Sequence, residues 1–105
     1  MRISQALFKD FMKKSRSISG DFLLLRYGLS SDTNRYAFVA PKTVAKTAVD
    51  RNKLKRRGYS AIRELKLSPG SPYLLAFFFK KTKKLPTYAE IKAESAILLK
   101  KIHAL

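Results

Sequence analysis

The 105 residues include 23 Lys plus Arg against 7 Asp plus Glu, a formal net charge of +16, and 46% of them are hydrophobic. That is one domain's worth of chain, apolar enough to bury a core, but an excess of one sign this large repels itself and is best relieved by a polyanion, nucleic acid first and an anionic membrane surface second. With no cysteine, disulfides and Cys-bearing metal or redox sites are excluded, and the longest apolar run, Tyr73 to Phe79, is far short of the roughly twenty residues that cross a bilayer.

Ser4 can cap a first helix in which Leu7, Phe8, Phe11 and Met12 recur at three-and-four spacing, stopped by Ser15 to Gly20. Lys9, Asp10, Lys13 and Lys14 interrupt that apolar pattern, unlike a signal-peptide core, so a cytoplasmic location is expected. Arg16 to Ser19 is a candidate short strand. Phe22 to Tyr27 and Tyr36 to Ala40 read as two strands joined across the turn-rich segment Gly28 to Asn34, a hairpin with a long loop. From about Thr47 to Lys66 the period becomes helical. Leu54, Gly58, Ala61 and Leu65 share one narrow arc, and Arg51, Asn52, Lys55, Arg56, Tyr59 and Arg63 a neighbouring one. Gly58 costs such a helix about 1 kcal/mol relative to alanine, so it marks a close-packing point or a break. The cluster Ser68 to Pro72 is a turn, and YLLAFFF at 73–79 is a strand buried on both faces or nearly so. After a basic loop, Lys80 to Pro86, Thr87 with Glu90 forms a capping box, opening a last helix with Ile91, Leu98, Ile102 and Leu105 on one side.

Residues 42–66 carry nine positive side chains against Asp50 and Glu64, a local excess of +7. A charge run is usually a solvated face. Here the positives are not interleaved with Glu at four-residue spacing, and arginine with asparagine suits forked contacts to phosphate and ribose oxygens, which favours nucleic-acid contact. The aromatic residues sit mostly at core spacings. An open sheet beside a basic helix can nonetheless expose one or two rings on which unpaired bases stack, and spacing alone leaves open which. Catalytic constellations are poor: Glu90 is explained as a cap, Glu94 is flanked by lysine, His103 has no evident partner, and there is no paired-carboxylate, His-rich or Gly-rich phosphate motif. A structural RNA-binding protein of ribosomal type therefore stands as an alternative. A peripheral membrane binder is disfavoured, because Leu54, Ala61 and Leu65 are needed for the core.

The stretch AFVAPKTVAKTAVDRNKLKRRGYSAIR resembles the signature of the bacterial ribonuclease P protein subunit: a strand ending in two lysines, a small residue and an acid, then Arg-Asn-Arg-x-Lys-Arg and a later Arg. Lys42, Ala48, Asp50, Arg51, Asn52, Lys53, Lys55, Arg56 and Arg63 take those places without a gap, Lys53 as a conservative variant of the second arginine. FKDFMKKSRSISGDFLLL is similar to the family's first helix and opening strands, and YLLAFFFKK with the terminal helix after it to the family's last strand and helix. The chain departs from the pattern at Tyr59 and Ser60, where the family has an Arg-Glu pair, at Thr43, the second lysine, and at Arg26, often aromatic.

The resemblance implies a single α+β RNA-binding domain over residues 1–105, an αβββαβα sandwich like the second domain of ribosomal protein S5. It implies a protein, monomeric in the absence of RNA and not membrane-bound, that binds a catalytic RNA and the 5′ leader of precursor tRNA. The RNA, with bound magnesium, would free the mature tRNA 5′ end; the protein alone would hold no cofactor and supply no catalytic residue. Lys42, Lys46, Arg51, Asn52, Lys53, Lys55, Arg56 and Arg63 would contact RNA, and Phe8, Met12 and Lys42 would line a leader-binding cleft.

Overall fold

The computed structural model describes residues 15–29, 35–67 and 73–102. The expected first helix, with Phe8 and Met12, and the turn at Ser68 to Pro72, His103 and Leu105 lie outside the described residues.

A strand whose side chains are almost all apolar is stable only where both of its faces are covered, and this requirement organises the sheet. Strands β1 (Arg16–Ser19), β2 (Leu23–Leu29), β3 (Arg35–Val39) and β4 (Tyr73–Phe79) form one sheet in the order β1-β2-β4-β3. β4, the apolar YLLAFFF, occupies the interior, antiparallel to β2 (Leu25 opposite Phe77) and parallel to β3 (Phe38 opposite Phe77). The edges are β1, with Arg16, Ser17 and Ser19, and β3, with Arg35 and Tyr36; interior β2 carries Arg26 and Tyr27 beside its leucines.

The arrangement corrects the expected hairpin of Phe22 to Tyr27 with Tyr36 to Ala40. β2 and β3 are separated by β4, and the tight hairpin is instead β1–β2, turned by Gly20, Asp21 and Phe22, with Ser19 opposite Leu24. Apolar β4 needs two partners, and neither β2 nor β3 could supply both of its ladders alone. The connection from β3 to its parallel neighbour β4 contains helix α1 (Ala48–Leu65), and β4 leads to helix α2 (Tyr88–Lys101).

Both helices cover one face of the sheet, α1 against β3 and α2 against β2. The core between the layers holds Leu23 and Leu25 of β2, Phe38 of β3, Leu75, Phe77 and Phe79 of β4, Leu54, Ala61 and Ile62 of α1, and Ile91, Leu98, Leu99 and Ile102 at α2. The opposite face of β4 is covered as well, with Leu74 and Ala76 buried. Phe38 and Phe77 stack with ring centroids 4.6 Å apart. Gly58 is the close-packing point and not a break: α1 runs through it, and a Cβ there would lie 2.5 Å from Cδ2 of Phe38. Ile62, not Leu65, completes the buried seam of α1, and Leu65 is half-buried.

The last helix is held at both ends. Thr87 Oγ1 accepts the Glu90 N–H at 3.2 Å and the Glu90 carboxylate accepts the Thr87 N–H at 2.9 Å, the expected capping box. Tyr73 Oη donates to the Ile102 carbonyl at 3.0 Å. Between these ends Glu94, 8% exposed, reaches the β1–β2 turn and accepts the N–H groups of Asp21 (2.6 Å), Phe22 (2.8 Å) and Leu23 (2.6 Å). A carboxylate is suited to three converging donors because it offers about four lone-pair sites. Gly20 is required beside it, since a Cβ would sit 2.5 Å from Glu94 Cδ. Lys80 Nζ closes the corner with hydrogen bonds to Ser19 Oγ and the Gly20 carbonyl.

Candidate nucleic-acid interface

Helix α1 begins at Thr47, whose hydroxyl accepts the Asp50 N–H at 3.2 Å, and Asp50 adds an acidic residue to the first turn. With Leu54, Gly58, Ala61 and Ile62 turned into the core, the 100° step between residues sends Asn52, Lys55, Arg56, Tyr59 and Arg63 to a common flank. That flank and the edge strand β3 enclose a cavity of about 380 Å³ lined by Phe38, Asn52, Lys55, Arg56, Tyr59 and Arg63. Tyr59 joins its two walls: its hydroxyl accepts the Phe38 N–H at 3.2 Å, and its ring meets Phe38 edge-on at 5.2 Å and Tyr36 at 5.8 Å between centroids.

The sequence-predicted RNA contacts do not all fall in one place. Asn52, Lys55, Arg56 and Arg63 come together in this groove. Lys53 faces the neighbouring side, in a shallower depression with Arg56, Arg57, Ser60 and Tyr88. Lys42 and Lys46 are exposed in the segment between β3 and α1. Arg51 turns back toward that segment, and its Nη1 donates to the carbonyls of Ala45 (3.0 Å) and Lys46 (2.9 Å). Its guanidinium thus braces the loop that presents Lys42 and Lys46. Arg57, not among the expected contacts, is likewise structural, donating to the Pro86 carbonyl at 2.8 Å.

The two acidic residues of α1 leave this flank cationic. Asp50 stays at the N-terminal turn, and Glu64 is drawn toward α2, accepting from Lys92 Nζ at 2.8 Å. That hydrogen bond holds the Glu64 carboxyl below the usual carboxylate range and raises Lys92. Among the described residues Lys55 and Arg56 have no carboxylate partner, and Arg63 donates one nitrogen to Ser60 Oγ at 3.1 Å. Among the described residues no arginine of α1 turns inward to a buried carboxylate.

The groove offers cations, an amide and the half-buried ring of Tyr59, with Phe38 buried in the core behind it, and these suit a phosphate and a π surface. Glu94 serves the β1–β2 turn and Glu90 the helix cap, so neither stands free as a proton-transfer group. Among the described residues no three His, Asp or Glu side chains gather to hold a metal, and no helix is long and apolar enough to cross a membrane. Reasoning from sequence missed Phe38 and Tyr59 as site residues. Tyr59 already lay on the basic arc of α1, and Phe38 gave no local signal, because its approach to α1 depends on Gly58. Arg26, where the family pattern is often aromatic, donates to Ser15 Oγ at 3.3 Å from the strand next to β4.

The family model for Ribonuclease P matches residues 3–103. The RNase P protein of Staphylococcus aureus superposes with a TM-score of 0.84 at 23% identity, covering 98% of this chain and 95% of its own. A mutant of the Staphylococcus aureus protein with defective mRNA degradation activity gives 0.85 at 21%, covering 99% and 89%. The RNase P protein of Thermotoga maritima gives 0.80 at 20%, covering 96% of each chain. At these identities the superpositions establish the fold, which is that of the RNase P proteins; no curated protein matches at the level of sequence. With the family model spanning nearly its whole length, the chain belongs to the ribonuclease P protein family, the protein partners of an RNA in tRNA processing.

Proposed function

We propose that the chain binds the ribonuclease P RNA through the cationic flank of α1 and the loop before it, and that the RNA, not the protein, cleaves precursor tRNA. Lys42, Lys46, Asn52, Lys53, Lys55, Arg56 and Arg63 are the contacts, and Arg51 acts chiefly by bracing the loop that carries Lys42 and Lys46. Phe8, Met12 and Lys42 bind the 5′ leader, Met12 packing its thioether on a base where a ring would stack. Magnesium is held by the RNA. The protein is a cytoplasmic monomer until RNA binds it.

One observation supports the reading above the others: α1 carries its cations on a flank where Lys55 and Arg56 lack carboxylate partners among the described residues, while Glu64 is neutralised on the far side. Adding the protein to ribonuclease P RNA and precursor tRNA at low magnesium is expected to restore cleavage that the RNA alone performs poorly. No stimulation at any protein concentration would return the chain to a purely structural role. Six cations, Lys42, Lys46, Lys53, Lys55, Arg56 and Arg63, each meeting one phosphate, give a slope of log K against log salt of roughly −4 to −5. A slope near zero removes the electrostatic basis.

A further inference from the structure

Cations alone suffice for a phosphate backbone, and rings alone for an apolar ligand. The groove between α1 and β3 has both, in a volume of about 380 Å³. That lies within the roughly 300–1,000 Å³ of small-molecule sites. It is far too small for a duplex and suits one nucleotide. Lys55, Arg56 and Arg63 supply charge, Asn52 an amide with both donors and an acceptor, and the half-buried ring of Tyr59 aromatic surface, with Phe38 buried behind it.

We propose that this groove takes a single unpaired nucleotide of an RNA strand, its phosphate among Lys55, Arg56 and Arg63, its base against Tyr59 and its edge within reach of the Asn52 amide. The inference rests on reading α1 as an RNA-docking helix and adds the form in which the RNA is held there. Unpaired bases are recognised by stacking on aromatic side chains and by hydrogen bonds to their edges, with cationic side chains on the backbone. Tyr59 is prepared for this contact. The hydrogen bond from Phe38 N–H and the packing against Phe38 and Tyr36 fix its ring, so little side-chain freedom remains to be lost on binding. Tyr59 lies among Lys55, Arg56 and Arg63 in the groove lining, so the cationic flank includes a ring, a contact that requires a base.

The test uses the full chain and two synthetic strands of five ribose-phosphates, one bearing a single central adenine and the other wholly abasic, so that charge is equal and no other base can slide into place. The wild-type protein is expected to bind the adenine strand more tightly by roughly 5- to 150-fold, the range of base-on-ring contacts. Tyr59→Leu is expected to bring the two strands within about twofold while leaving the salt dependence of each, and Tyr59→Phe to retain most of the preference. Equal binding of both strands by the wild type, or an undiminished preference in Tyr59→Leu, overturns the nucleotide pocket. If salt dependence stays steep, the RNA-docking reading stands without it; if binding shows no salt dependence, both fall. Should Tyr59→Leu not fold, the wild-type comparison decides by itself.

Discussion

Arg51 and Arg56 lie on the same helix of the same basic run, yet their surroundings differ. Arg51 donates twice to loop carbonyls at 2.9 and 3.0 Å and is half-buried, whereas Arg56 is exposed and has no partner of its own among the described residues. A typical hydrogen bond contributes about 0.5–1.5 kcal/mol, and the partial exposure of these groups keeps them in that range, so losing both in Arg51→Ala is expected to cost about 1–3 kcal/mol. For a domain of this size that lowers Tm by roughly 4–12 °C. Arg56→Ala should fall within about 0.5 kcal/mol of wild type, as surface substitutions usually do. In RNA titrations across a salt series, Arg56→Ala should make the slope of log K against log salt shallower by about 0.7–0.9, the share of one phosphate. Thermal melts and filter binding on the two variants measure both quantities. The reasoning fails if Arg51→Ala melts with wild type, or if Arg56→Ala destabilises as much as Arg51→Ala does.

Glu94→Gln keeps the shape of the side chain but leaves one oxygen where two now accept three N–H groups, and turns an NH₂ toward a donor. The expected loss is about 2–3 kcal/mol, read as a fall in urea midpoint with no change in the RNA affinity of the folded protein; a midpoint within error of wild type would show that the turn does not depend on this carboxylate. Gly58→Ala gains about 1 kcal/mol of helix propensity but drives a methyl against Phe38, which cannot retreat from Phe77, and overpacking of this kind costs about 1–3 kcal/mol. A net loss of stability, with weaker RNA binding through the displaced Phe38, is expected, and a higher Tm would contradict the packing argument.

The elements that could be read from sequence are those whose signals are local. Thr47 and Asp50 open α1, Thr87 and Glu90 cap α2, and YLLAFFF demands cover on both faces, each within a few residues of chain. Strand order was not local, because it depends on which strand most needs two neighbours, and that comparison runs between Tyr36, Arg26 and Phe77 across the whole sequence. The site divides along the same line. The basic arc of α1 follows from a 100° step, so Asn52, Lys55, Arg56 and Arg63 were foreseeable together. That Arg51 bends back to Ala45, and that Phe38 reaches Gly58, are facts of the β3–α1 connection which no periodicity carries.

The interior position of β4 also has a consequence in time. The chain is made from its N-terminus, so the β1–β2 hairpin and the β3–α1 unit emerge before the strand that joins them, each with an open ladder that only Tyr73 to Phe79 can close. Until then Phe38 lacks the ring it stacks on, and the helix that would meet RNA has no floor. A nascent or truncated chain ending before Tyr73 is therefore prone to self-association through its bare strand edges, and RNA-binding competence should arrive abruptly, with the completion of a single strand.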